Sequence, residues 1–192
     1  MGDRERTAES VAAIRAAAGA ATRYVEGLDA RRAAPHAAML AGLDALDGPL
    51  PDESSDAAEV VRLLDEAGSP ATVATAGPRY FGFVTGGVVP AAPGAGVLAA
   101  AWDQNGAMEA MSPVAARLET IARGWALDLL GLPRDAGVGF TTGATMANLT
   151  GLAAARHRLL SRAGWDVEAD GLAWAPPLTV VVGDEVHVSL LK

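Results

Sequence analysis

Apolar residues recur at helical spacing along several stretches of the chain. In residues 7–32 the repeating positions are Val11, Ile14, Ala18, Ala21 and Val25. In residues 56–67 they are Val60, Leu63 and Leu64. Such spacing is typical of amphipathic helices. We expect Ser54 or Ser55 to cap the second helix, Gly68 to stop it, and a further short helix to cover residues 91–102.

A clearer helix signal begins at Ser112 and Pro113, because serine suits the N-cap and proline suits the first helical position. An apolar stripe then recurs every three or four residues, at Val114, Leu118, Ile121, Trp125 and Leu129. Gly131 and Pro133 end the pattern. The stretch predicts one long helix whose stripe is buried.

Residues 138–182 alternate between strand and helix patterns. A short apolar segment ending at Phe140 leads through the small, uncharged turn 141–145 into a helix that reaches about Gly164. The β-branched run Leu178–Val182 suits a strand covered on both faces. Strand, helix and strand predict a βαβ unit, in which ligands bind where the strands end. The turn and His187 could then face one crevice.

The turn has the chemistry of a phosphate site. Gly143 lets the backbone approach a ligand, the helix start offers unpaired N–H groups, and Thr142 and Thr145 add hydroxyls. The alternative is an ordinary strand–turn–helix with threonine as the N-cap. A histidine after a strand, such as His187, has an equally simple alternative as a structural residue.

Composition narrows the classes of function. A net charge of −8 argues against a nucleic-acid surface, and the absence of cysteine excludes disulfides, thiol nucleophiles and thiolate metal sites. The three histidines, at 36, 157 and 187, lack a paired spacing for a metal. The absence of cysteine also fits a reducing cytoplasm, and the charged N-terminus is not a secretory signal. Residues 80–102 are uncharged but too rich in glycine and proline for a membrane span.

Five segments, in order over residues 70–192, together resemble the amino-terminal part of the group II pyridoxal-phosphate-dependent amino acid decarboxylases. The segments are Pro78–Phe81, Trp102–Asn105, Ser112-Pro113 with Leu118-Glu119, Gly139–Asn148 and Asp184–Ser189. The resemblance implies an α/β fold of the aspartate aminotransferase type. Residues 1–68 would be a helical arm that packs on a dimer partner. Residues 69–192 would begin the three-layer α/β/α large domain, mostly helical in this chain.

The resemblance also implies roles for individual residues. Gly143, Ala144 and Thr145 match the turn that holds the phosphate of pyridoxal 5′-phosphate. His187 matches the catalytic histidine that stacks on the cofactor ring and faces the substrate. The family regions that line or support the substrate pocket correspond, by less specific motifs, to Tyr80, Phe81 and Trp102. The cofactor would act as electron sink when carbon dioxide leaves an aromatic or acidic L-amino acid.

Several positions depart from the family pattern. Gly77 stands where the family usually has histidine, and Trp174 stands where a smaller residue is commoner. More seriously, Lys192 is the only lysine, and it does not match the position of the Schiff-base lysine. The acid that pairs with the pyridine nitrogen has no match either. We therefore expect a fragment of a homodimeric decarboxylase, without decarboxylase activity of its own; carbon dioxide release by the purified chain would contradict this.

Other hypotheses fit parts of the sequence. The same fold could catalyse aldehyde-forming decarboxylation or carbon–sulfur chemistry. The chain could instead be a non-catalytic dimerisation or regulatory module, or a decayed product of the same fold. A nucleotide-phosphate binder on a βαβ scaffold lacks an acidic ribose partner at a convincing spacing.

Overall fold

The computed structural model describes residues 2–191 and is mostly helical. Helices account for 55% of the chain, and residues 2–191 contain no strand. Two compact units divide between Ala101 and Trp102. The expectation of a mostly helical chain is confirmed. The boundary predicted at residues 68/69 concerns the family's arm and stays a prediction.

The first unit is built on a pair of long helices. Its elements are α1 (Asp3–Glu26), α2 (Ala37–Ala41), a 3₁₀ helix (Gly42–Leu46), α3 (Ala57–Ala71) and α4 (Ala91–Trp102), whose last residue begins the second unit. Helix α3 packs against α1 and buries two small side chains, Ala58 and Ala67. Alanine at these positions allows the backbones to approach closely, so little apolar area is buried for each contact.

Polar bridges tie α1 to α3. Glu9 of α1 accepts a hydrogen bond from the backbone N–H of Ala57, at 3.2 Å, where α3 starts. Near the other end of the pair, Arg23 contacts Asp65 at 2.9 Å, and Ser69 donates to the same carboxylate at 2.6 Å. Asp65 therefore receives two donors, one from each helix.

The segment after α1 is held by a second set of bridges. Arg31 lies over the ring of Tyr24, 4.3 Å from its centre, and donates to the carbonyl of Ser69. Tyr24 and Thr72 share a hydrogen bond of 2.8 Å between their hydroxyls. Arg79 in turn donates to the carbonyl of Arg31. These contacts close the turn after α1 onto the end of α3.

The second unit contains α5 (Pro113–Leu130), α6 (Ala144–Arg162), α7 (Val167–Asp170) and a 3₁₀ helix (Val188–Leu190). Ser112 is fully buried and caps α5 by accepting from the N–H of Ala115 at 3.3 Å. Gly131 ends α5 in the left-handed conformation, with φ of 63°. Both ends of α5 agree with the sequence prediction.

Several local predictions are wrong. Asp56, not Ser54 or Ser55, caps α3, and α3 continues through Gly68 to Ala71, with Pro70 in its last turn. The predicted strands at 138–140 and 178–182 are absent, since neither segment finds a neighbouring strand among residues 2–191. Val181, predicted to be covered on both faces, is 90% exposed. The βαβ unit is therefore not formed in the described chain.

Most apolar surface remains uncovered. The exposed area is 15045 Å², whereas a compact folded protein of 19.4 kDa exposes about 8,500 Å². The predicted stripe on α5 illustrates the excess, because Trp125 is 67% and Leu129 is 87% exposed. The described apolar residues that are buried are Ala58, Ala67, Ala74, Leu127, Leu160 and Val167. Within residues 2–191, no helix has both the length and the apolar character needed to cross a bilayer.

Because Asp65 joins α1 to α3, the substitution Asp65→Asn is expected to lower the free energy of unfolding by about 1 kcal/mol. A hydrogen-bonded ion pair that water partly screens typically contributes about this much to the free energy of unfolding. Urea unfolding followed by circular dichroism measures the change. Glu66→Gln is the control, since Glu66 is exposed on the same helix and makes no ion pair among residues 2–191. Equal effects of the two substitutions would contradict the prediction.

The same carboxylate makes the stability of the helix pair depend on pH. The hydrogen bond from Ser69 lowers the pKa of Asp65 below 3.8, burial opposes this shift, and Arg23 adds to the lowering. A lowered folded-state pKa contributes stability above the unfolded-state pKa of about 3.9, and this stability is lost as pH falls through the folded-state pKa. The difference between the wild type and Asp65→Asn should therefore shrink below about pH 4. Urea unfolding across a pH series checks this, and a difference that grows in acid would contradict it.

Candidate functional site

The start of helix α6 carries the residues predicted to hold a phosphate. Gly143 is the N-cap residue and is extended, and no side chain caps the helix. The first hydrogen bond of the helix runs from the N–H of Ala147 to the carbonyl of Gly143, at 3.0 Å. The N–H groups of residues 144–146 precede it and have no partner within the helix.

The electrostatics of this helix start favour an anion. Its first turn contains no acidic residue, and the aligned peptide dipoles give the N-terminus a partial positive charge. Helices α3 and α5 differ, because a capping side chain accepts from one N–H of the first turn in each: Asp56 from Glu59, and Ser112 from Ala115. The start of α6 is left open to a ligand.

Of the three threonines in the turn, one is hydrogen-bonded within the turn and the other two are exposed. Thr141 donates to the carbonyl of Gly143 at 3.2 Å, so its hydroxyl shapes the turn itself. Thr142 and Thr145 are exposed. The prediction that Thr142 and Thr145 serve a phosphate therefore stays open, and threonine does not act as the N-cap of α6.

His187 lies at the start of the 3₁₀ helix Val188–Leu190 and is exposed. Its Nδ1 atom accepts a hydrogen bond from the backbone N–H of Ser189 at 3.2 Å. The hydroxyl of Ser189 lies 2.9 Å from the same nitrogen. The ring is thus held by contacts to one of its two nitrogens.

One side chain joins the two parts of the site. Asn148, one turn into α6, donates from Nδ2 to the hydroxyl of Ser189 at 2.8 Å, across 41 positions of sequence. The 3₁₀ helix that follows His187 packs on α6. The structure therefore brings the phosphate-type helix and the histidine segment together, although the two strands expected to do so are absent.

Asn148 and Ser189 are the contacts that the sequence motifs did not single out. Both residues lie inside the matched segments, but neither received a role. The sequence carries one signal for this contact: a polar residue lies one turn after the phosphate-type turn, and a hydroxyl residue lies two positions after the histidine. Only the folded chain shows that the two side chains meet.

The predicted pocket residues have different surroundings. Tyr80 is half-buried and lines a small recess of the first unit, while Phe81 is 92% exposed. Trp102 lies in the second unit and lines a cavity of about 340 Å³ with Gln104 and Val114. Their role in a substrate pocket stays a prediction.

A second polar cluster lies at the far end of α6. His157 contacts Glu168 at 2.7 Å through Nδ1, and Arg156 reaches the other oxygen of that carboxylate at 3.5 Å. His157 and Glu168 also line a cavity of about 260 Å³. His157 is exposed, and its contacts tie α7 to α6.

No grouping of three or more histidine and acidic side chains suited to a metal ion occurs in the described part of the chain. Lys192, which was predicted not to be the Schiff-base lysine, lies outside the described residues. No family model, curated protein or solved structure matches the chain. The resemblance to the decarboxylases therefore depends on the motifs alone.

Proposed function

We propose that this chain carries the phosphate turn and the stacking histidine of a pyridoxal-phosphate-dependent amino acid decarboxylase. The observation that carries the proposal is the hydrogen bond between Asn148 and Ser189. It joins the helix that begins at the phosphate-type turn to the segment that holds His187, as one cofactor spanning both would require. The proposed complete fold is the three-layer α/β/α domain, in which 138–140 and 178–182 become strands when neighbouring strands pair with them.

The residues present fit the phosphate and one face of the cofactor ring. The open N–H groups at the start of α6 suit a phosphate dianion, and Gly143 leaves the backbone accessible, since a Cβ added there would meet no atom within 4 Å. The Thr145 hydroxyl adds a donor. The flat imidazole of His187 can lie against an aromatic ring. When bound, pyridoxal 5′-phosphate supplies the electron sink for the carbanion left by departing carbon dioxide.

The chain's own residues bind and orient in this proposal. The turn 143–145 would fix the phosphate end, and His187 would fix the ring and face the substrate carboxylate. The family's lysine and ring-pairing acid have no match in this sequence. In the proposal a larger homodimeric, cytoplasmic protein supplies them, and the present residues alone have no decarboxylase activity. Tyr80, Phe81 and Trp102 are the candidates for contacts to the amino acid side chain.

A non-catalytic dimerisation or regulatory module is the alternative, and the uncovered apolar surface favours it. An apolar groove of about 450 Å³ lies between α1 and α3, lined in part by Ala17, Val61 and Leu64. In this alternative the helical arm is the functional part, and the turn at 143–145 binds no cofactor.

Binding of pyridoxine 5′-phosphate and of pyridoxine distinguishes the two proposals. Neither compound has an aldehyde, so neither reacts with an amine. We expect calorimetry to show tighter binding of the phosphorylated compound. Thr145→Val should weaken that binding about tenfold, the cost of one hydrogen bond to a charged group, and leave pyridoxine unchanged. His187→Ala should weaken the binding of both compounds by up to about tenfold, because the contact between the imidazole and the pyridine ring is lost.

Thr150→Val is the matched control. Thr150 lies on the same helix, and its hydroxyl donates within the helix to the carbonyl of Met146, so the same chemical change occurs away from the turn. Equal binding of the two compounds, or equal losses from Thr145→Val and Thr150→Val, would overturn the cofactor proposal and leave the non-catalytic alternative.

A further inference from the structure

The hydrogen bonds around His187 determine which ring nitrogen carries the proton. Nδ1 accepts from the backbone N–H of Ser189, which can only donate. Nδ1 must therefore be unprotonated, and a neutral ring carries its proton on Nε2. Nε2 has no hydrogen-bond partner within residues 2–191.

The direction of the neighbouring hydrogen bonds follows from this assignment. Because Nδ1 has no proton, the hydroxyl of Ser189, 2.9 Å away, must be the donor to it. Its oxygen is then free to accept from Nδ2 of Asn148, at 2.8 Å. The backbone N–H and the hydroxyl of Ser189 then share the single lone pair of Nδ1, and the backbone contact is the longer of the two, at 3.2 Å.

We propose that Asn148 and Ser189 are positioning residues that hold His187 in its Nε2–H form, and that this N–H donates to the carboxylate of an amino acid substrate. Asn148 orients Ser189, and Ser189 orients the ring. In this role His187 is a hydrogen-bond donor and not a base, because its only free nitrogen already carries the proton. The part that concerns the substrate rests on the proposed function, whereas the proton position does not.

Nitrogen NMR of the chain with labelled histidine tests the proton position without any cofactor. The spectra are recorded at about pH 8.5, where free imidazole is neutral, and the two ring nitrogens are distinguished by their chemical shifts. His187→Gln assigns the resonance. His157 is an internal contrast, because its Nδ1 contacts the Glu168 carboxylate, which only accepts when ionised. We expect Nδ1–H at His157 and Nε2–H at His187.

Variants of Asn148 and Ser189 test whether these two residues position the ring of His187. Asn148→Asp replaces a donor by an acceptor of the same shape, so the Ser189 hydroxyl turns towards it. The Nδ1 resonance of His187 should then move towards that of His36, an exposed histidine whose ring makes no hydrogen bond within residues 2–191. Ser189→Ala removes the hydroxyl donor and keeps the backbone N–H, so it should move the resonance in the same direction while the Nε2–H form persists. Ser189→Thr, which keeps a hydroxyl, should retain the wild-type shift, and Ser161→Ala, elsewhere on α6, should leave it unchanged. An Nδ1–H form of His187 in the wild type, or no response to Asn148→Asp, would overturn the proposal.

Two stable conjugates test the carboxylate contact. Reduced phosphopyridoxyl-phenylalanine carries a carboxylate, and reduced phosphopyridoxyl-phenethylamine lacks only that group. The first should bind about tenfold more tightly, the expected effect of one hydrogen bond to a charge. His187→Gln, which keeps an N–H donor, should retain the preference, and His187→Phe, which keeps a flat ring, should lose it. A preference that survives in His187→Phe would overturn the inference, while failure of both conjugates to bind would overturn the proposed function itself.

Discussion

The packing of the helices in each unit relies in part on a small number of polar bridges, because the chain covers so little of its apolar surface. Hydrophobic burial normally provides most of the energy that holds helices together. Here the buried side chains are few and mostly small, and four of the five stripe residues on α5 are exposed. Long-range order therefore depends on contacts such as Arg23 with Asp65 in the first unit and Asn148 with Ser189 in the second.

This constraint explains why the candidate site is defined although residues 2–191 form no sheet. In an α/β fold, the strands would bring the turn and the histidine to one edge. In the described chain, one amide and one hydroxyl do so instead. In our proposal Ser189, which Asn148 contacts, also sets the proton position of His187 through its backbone N–H and its hydroxyl. The proposed function and the further inference share this single structural origin.

The sequence predicted the features that depend on local chemistry. Ser112 and Gly131 bound α5 as expected, since a cap and a left-handed glycine act within one turn. Helix α4 covers the expected residues 91–102. In contrast, the predicted end of α3 at Gly68 was wrong, because this helix accommodates glycine and proline in its last turn. Strand 178–182 was wrong for the described chain because β-branched residues favour a strand only where another strand pairs with it.

The candidate site was predictable in part for the same reason. The open helix start after Gly143 follows from local residue types, and so does the exposure of Thr145. The meeting of Asn148 with Ser189 depends on packing across 41 positions, which spacing alone does not indicate. Asn148 and Ser189 were therefore visible in the sequence as parts of motifs but not as partners.

The central claim is that the turn at 143–145 and His187 contact one ligand. The most direct measurement is a map of backbone amide shifts in the ¹⁵N-labelled chain as pyridoxine 5′-phosphate is added. The claim predicts that the largest changes cluster at residues 143–147 and 187–189 and saturate together. Changes confined to one of these segments, centred on the α1–α3 groove, or absent altogether would contradict it.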